Sequence, residues 1–196
     1  MSRLDPLPLD QLGELEETLG TFKKRMGFIA NSGRIMARRP KIVYALGDLA
    51  RAVLEDGEVS LALKSCIAEV TSWATGCLYC QAHFANNSIR SGVDPEKLEN
   101  LWNFERSDLF SDAEKAALRF AMAAAQIPNA VTDEDFDELK KHWDDGQIVE
   151  ILSTACYVAF LNRWNDSLAT TLEDIPTEAA EKHLQATNWS AGKHQS

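Results

Sequence analysis

Strand signals are almost missing from this chain. No convincing run of four or more alternating β-branched residues occurs, which excludes a fold built on sheets. Positive charge is scarce too: 20 lysines and arginines face 30 acidic residues, for a formal net charge of −10. Phosphate backbones and anionic lipid would be repelled, so neither nucleic acid nor a membrane is expected as a partner. Long apolar runs are lacking. The longest stretch without a charged residue, Val70 to Ile89, carries Gly76, Gln81, His83, Asn86 and Asn87 and is too polar for a bilayer span, while Ile151 to Asn162 is too short. The opening MSRLDPLPLDQLGELEE turns acidic at once and has no apolar core of a secretion signal, so a cytoplasmic location is expected. Cysteines number only 4, too few for a disulfide scaffold. In a reducing compartment any disulfide chemistry would then be transient and functional.

What the chain does have is helical spacing along most of its length. Its 196 residues, 45% hydrophobic and 26% charged, suit one soluble all-α domain. Leu12, Leu15, Leu19 and Phe22 form one stripe of an acidic opening helix, interrupted around Gly27 and Asn31. Pro40 starts a helix whose core face is expected to hold Ile42, Val43, Leu46, Leu49, Val53 and Leu54, ending at Asp56-Gly57. A helix from about Ser60 to Ala74 breaks at Thr75-Gly76, and Cys77 opens another running to Arg90, with Gly92 beyond its end. Asp94-Pro95, a Ser111 to Glu114 capping box, Thr132 and Asp144 mark further starts. The most apolar helix is expected from Gln147 through Leu172. Pro176 then begins a weak last helix, and the final dozen residues read as frayed.

The informative segment is Thr75-Gly-Cys77-Leu-Tyr-Cys80-Gln-Ala-His83. C-x-x-C at a helix start puts the two sulfurs one turn apart, close enough to bridge. The positive helix end favours a thiolate in the first turn, which speaks for Cys77 as the more acidic thiol. His83, at i+3 from Cys80, can take the Cys80 proton as a general base, which speaks for Cys80 as nucleophile. A structural zinc site is short of ligands after Cys77, Cys80 and His83, and haem attachment fails because Gln81 stands where a histidine is needed. No metal or cofactor is therefore expected. Cys66 and Cys156, in apolar stretches, read as core packing, and His183 and His194 as surface. His142 reads as an ion-pair partner of Glu138 or Asp145, and Asn162, Arg163 and Trp164 as structural. If the helices flanking Thr75-Gly76 fold back antiparallel, Glu69 comes beside His83 as its orienting carboxylate, with Glu150 a candidate supplied from afar.

These residues, with Gly27 to Asn31, Pro40, Gly92 to Leu98, Leu109 to Leu118, Gln147 to Glu150 and Phe160 to Asp166, resemble the alkylhydroperoxidase D-like, peroxidase-related branch of the carboxymuconolactone decarboxylase family. The likeness spans roughly residues 25 to 173, leaving 1–24 as an N-terminal helical extension, 25–175 as the family domain and 176–196 as a tail. It implies an all-helical homo-oligomer (dimer, trimer or hexamer) that reduces hydroperoxides. Cys80 would be oxidised to a sulfenic acid and Cys77 would resolve it as a disulfide, re-reduced by a dithiol such as a lipoylated protein. The family's relay glutamate, twelve residues before the first cysteine, is Ser65 here, and its histidine usually follows the second cysteine by four residues, where His83 follows by three. The relay would then fall to Glu69 or Glu150. The catalytic set is accordingly Cys80, Cys77, His83 and Glu69. The alternatives are a non-catalytic binding or redox-sensing protein and a cofactor-free decarboxylase using His83.

Overall fold

The structure, a computed structural model, describes residues 2–55 and 57–195, with Arg25 in its backbone alone, and no strand occurs among them. Asp56, expected to end a helix, lies outside the described residues. The helices are α1 (Leu15–Met26), α2 (Asn31–Met36), α3 (Pro40–Leu54), α4 (Leu61–Thr75), α5 (Leu78–Arg90), α6 (Pro95–Glu99), α7 (Asp112–Ala125), α8 (Asp133–Lys140), α9 (Asp145–Leu168) and α10 (Asp174–His183). None is long and apolar enough to cross a membrane among the described residues.

The start signals act as their chemistry requires. Ser60 caps α4, and full capping boxes close the starts of α7 (Ser111, Glu114), α8 (Thr132, Asp135) and α9 (Asp144, Gln147). Each such cap is worth about 1 kcal/mol, because it satisfies amides with no partner inside the helix. The core lies where α4 meets α5, α7 and α9. Ile67, Ala82, Leu118, Ile151 and Val158 are all fully buried there. A smaller cluster, Leu12, Leu15, Leu19, Met36, Ala37 and Val43, seats the N-terminal segment on α3. Ile42 and Leu49, expected in the core face of α3, are instead exposed: that helix packs on one side against α1 and α9 and turns its other side outward.

Two corrections matter for function. The apolar helix α9 ends at Leu168, not Leu172, because Ala169 takes a left-handed conformation with φ 47°. Residues 170–173 lie in no helix, and Glu173, with extended backbone, is the residue before α10. The tail is not frayed either. Trp189 Nε1 donates to the Leu78 carbonyl (3.1 Å), His194 Nδ1 pairs with the Thr170 carbonyl (2.8 Å), and the Leu172 amide donates to the His194 carbonyl (2.8 Å). His183 and His194, read as surface, are buried, since the tail folds back over the start of α5. Burial, only partly offset by the Thr170 carbonyl and Asp166, holds His194 below its ordinary value.

Left-handed backbone costs an L-residue about 1–2 kcal/mol, partly cancelled when glycine loosens the unfolded chain by about 0.4–1 kcal/mol. Ala169→Gly should therefore raise the urea midpoint slightly and Ala169→Val lower it clearly; equal midpoints for both variants would show that the φ at this position carries no strain.

Candidate active site

The C-x-x-C turn is built by the break between α4 and α5. Gly76, at φ 73°, ends α4 in the conformation glycine adopts without penalty, and the Cys77 amide donates back to the Ser72 carbonyl at 3.1 Å. The chain then re-enters a helix with Cys77 as N-cap, its Sγ accepting the Cys80 amide at 3.4 Å. Cys77 and Cys80 are both buried, reduced and adjacent. Asn165 of α9 donates its Nδ2 to Cys80 Sγ at 3.7 Å.

Cys80, Tyr79, His83 and Asn165 line a cavity of about 120 Å³, walled by apolar residues that include Phe22, Met36, Val43, Leu46 and Phe84. No lysine or arginine is part of that lining among the described residues. The expectation that the helix end would acidify a first-turn thiol does not hold for Cys80. Burial foremost, and the neighbouring Cys77, push its thiol well above the ordinary value, and the Asn165 amide lowers it only in part. At rest Cys80 is a neutral thiol, and a base is needed to make it a nucleophile.

His83 is oriented, but by a carboxylate other than Glu69 or Glu150. Its Nε2 lies 2.8 Å from Glu173 Oε2. The other Glu173 oxygen accepts the Tyr79 hydroxyl at 3.1 Å and the Asn31 amide. Burial opposes ionisation of Glu173, yet His83 and the Asn31 amide together hold its carboxyl below the usual range. A carboxylate there accepts a hydrogen bond from Nε2–H, which fixes the tautomer and leaves Nδ1 able to take a proton. The ring of Tyr79 stacks on His83 (centroids 4.2 Å apart) and Phe28 meets it edge-on at 5.4 Å.

The two expected relay carboxylates stand elsewhere. Glu150 binds Lys64 Nζ at 2.7 Å and the amides of Glu58 and Val59, so it clamps the α3–α4 loop to α9 and does not reach His83. Glu69 is buried, but on the side of α4 facing Gln81 and the tail, and the thiol that bears on it is Cys77. The antiparallel reading of α4 and α5 was sound as topology; it misjudged which side of α5 carries His83. Glu173 was missed because the apolar helix was run through Leu172. Thr170-Thr171 before Pro176 was the available signal that it ends earlier.

Other assignments divide. Cys66 is buried, and burial pushes its thiol up to about 12, whereas Cys156, expected in the core, is exposed on the outer side of α9. His142 pairs with Glu138 at 3.5 Å. Asn162 binds Thr75 Oγ1 at 2.8 Å and braces the end of α4, while Arg163 is exposed. Ser65, at the position of the family's relay glutamate, bonds to the hydroxyl of Ser91 at 2.8 Å.

Residues 40–123 match the carboxymuconolactone decarboxylase family. The apo structure of the debrominase Bmp8 is 30% identical, with a TM-score of 0.85 over 91% of this chain and 96% of that one. A cysteine-to-alanine variant of Bmp8 in complex with 2,3,4-tribromopyrrole is 29% identical with the same TM-score. The chain belongs to the carboxymuconolactone decarboxylase family. An alkylhydroperoxidase-core, peroxidase-related protein from Ralstonia eutropha JMP134 shares the fold at 20% identity, with a TM-score of 0.75 over 88% of this chain and 94% of that one. The protein YdfG of Bacillus subtilis (strain 168) is 26% identical over 95 residues, and the chain spans 63% of its length.

Because Glu173 is held below its ordinary value of 4.5, the stability it contributes is fully present above about pH 4.5 and is lost as pH falls through its lowered value. Glu173→Gln should flatten that acid limb of the unfolding free energy against pH; an unchanged limb would mean that the His83–Glu173 contact does not persist in solution.

Proposed function

We propose that the protein reduces a small, uncharged, apolar electrophile by two electrons, a hydroperoxide first of all, with Cys80 attacking and Cys77 resolving. The observation that carries this reading is Cys80 opening into an apolar cavity beside a histidine already oriented by a carboxylate. His83 takes the Cys80 proton, the sulfur attacks the distal peroxide oxygen, and the O–O bond breaks. The departing alkoxide takes the proton from His83 and leaves as an alcohol. Cys80 is then a sulfenic acid, and Cys77, one residue before the helix, closes a disulfide with loss of water. A dithiol, such as a lipoylated protein, restores both thiols and becomes a disulfide itself.

Size and charge favour this substrate class. A dry apolar cavity of roughly 150 Å³ accepts a benzene-sized guest, so about 120 Å³ suits a short alkyl hydroperoxide. A polycarboxylate lactone would meet no cation in this lining and a chain of net charge −10, which weighs against the decarboxylase reading. Similarity to Bmp8 supports a second reading: reductive removal of bromide from a brominated ring, two thiols becoming a disulfide as carbon–bromine is replaced by carbon–hydrogen. The same thiols and base would serve it. Apolar side chains exposed on α3 and α9, among them Leu49, Val149 and Phe160, support the homo-oligomer that the family implies.

The test is turnover with tert-butyl hydroperoxide and with 2,3,4-tribromopyrrole, each with dihydrolipoamide as reductant. Cys80→Ser should abolish consumption, and Cys77→Ser should stop after one turnover with a trapped sulfenic acid. His83→Ala should lose about 10²–10⁴-fold, partly recovered as pH rises toward thiolate formation. Consumption of the bromopyrrole alone, with bromide release, would favour the second reading. If neither substrate is consumed, or if Cys80→Ser turns over normally, the enzymatic reading fails.

A further inference from the structure

The substrate cavity lies between the two hydrophobic clusters of the fold, and Phe22 and Leu46 pack against both. Its reacting groups come from α5 and α9, which bring Cys80, His83 and Asn165. Part of its wall is α1, through Leu19, Phe22 and Met26, and that helix precedes the residues 40–123 that match the family.

α1 is fixed in place. Leu15 and Leu19 are buried in the cluster that also holds Val43 of α3. Asn86 Nδ2 donates to the Met26 carbonyl at 3.1 Å, and Arg90 Nη2 donates to the Lys24 carbonyl at 3.2 Å. Asn86 and Arg90 belong to α5, the helix that carries Cys80 and His83, so direct hydrogen bonds set how far this wall stands from the thiol. Two glycines let α1 approach so closely. A β-carbon at Gly33 of α2 would stand 3.0 Å from Leu19 Cδ2, and one at Gly47 of α3 would stand 3.7 Å from the Phe22 ring and from Thr18 Cγ2. The Phe22 ring therefore lies over a position of α3 that has no side chain. Space vacated by that ring could not be refilled from Gly47, and the size of a void depends on how far its surroundings can collapse.

We propose that Phe22 is the specificity-determining residue of the cavity: its ring occupies the volume that an aryl or longer alkyl group would need, and so limits the substrate to a short alkyl group. The inference rests on the reading of this cavity as the place where substrate meets Cys80. Met26 and Met36 also line it, but their unbranched chains adapt to a guest. A phenyl ring backed by a hydrogen-bonded helix does not. Attack requires the peroxide oxygen within about 3–3.5 Å of the sulfur, and a group too large for the cavity stops short of that distance. Selection by size thus falls to α1, while proton transfer and thiol chemistry fall to α5 and Glu173.

The experiment compares kcat/KM for tert-butyl hydroperoxide and cumene hydroperoxide, which differ by the exchange of one methyl group for a phenyl ring. Phe22→Ala should shift the ratio toward cumene hydroperoxide by at least about 10-fold, the lower end of what one methylene in an apolar pocket is worth. Phe22→Leu should shift it part of the way, and Phe22→Trp should shift it in the opposite direction. General damage to the site lowers both rates together, so an unchanged ratio in Phe22→Ala would overturn the proposal. Should Phe22→Ala not fold, Phe22→Leu decides by the same criterion. If the wild type consumes neither hydroperoxide, the functional reading has failed, and the wall is judged by calorimetric titration with toluene. Phe22→Ala, or Phe22→Leu in its place, should then bind toluene more tightly than the wild type, and equal affinity overturns the proposal.

Discussion

The Glu173 carboxylate is the contact on which the site depends. One oxygen holds His83 and the other collects the Tyr79 hydroxyl and the Asn31 amide, so a single side chain ties α5 to the start of α2 from the non-helical segment before α10. That segment exists only because α9 stops at Ala169. Were α9 to continue to Leu172, Glu173 would leave on a rigid helix and His83 would lose the group that sets its tautomer. The tail adds to the same arrangement: Trp189 and His194 lie against Leu78 and Tyr79, the residues between and beside the two cysteines.

Burial shapes the chemistry as much as the hydrogen bonds do. A thiol in an apolar cavity resists ionisation, and the helix-end field does not compensate at Cys80. The consequence is a buried, neutral thiol at an apolar cavity whose lining holds no lysine or arginine among the described residues. Burial holds Cys66 protonated in the same way, while Cys156 is exposed and lies outside the lining of that cavity.

Much of this was legible in the residues themselves. The capping chemistry at Ser111, Thr132 and Asp144 and the glycine break at Gly76 are local, short-range signals, and each marks an element where it was expected. Cys77, Cys80 and His83 were found because helical spacing alone brings them together. Glu173 is ninety residues from His83 in the chain, and no periodicity connects the two. The burial of His183 and His194 escaped for a related reason: a polar tail looks frayed until the surface it covers is known. Exposure of Ile42, Leu49 and Cys156 failed in the opposite sense, since an apolar stripe gives a face without saying whether another helix covers all of it.

The account's central claim is that Cys80 and Cys77 act as one redox pair in a protected cavity. Peptide mapping by mass spectrometry after treatment with one equivalent of an organic hydroperoxide tests it most directly. The expected product is a single intramolecular disulfide joining Cys77 and Cys80, with Cys66 and Cys156 still free thiols; oxidation confined to the exposed Cys156, with Cys77 and Cys80 untouched, would contradict the account.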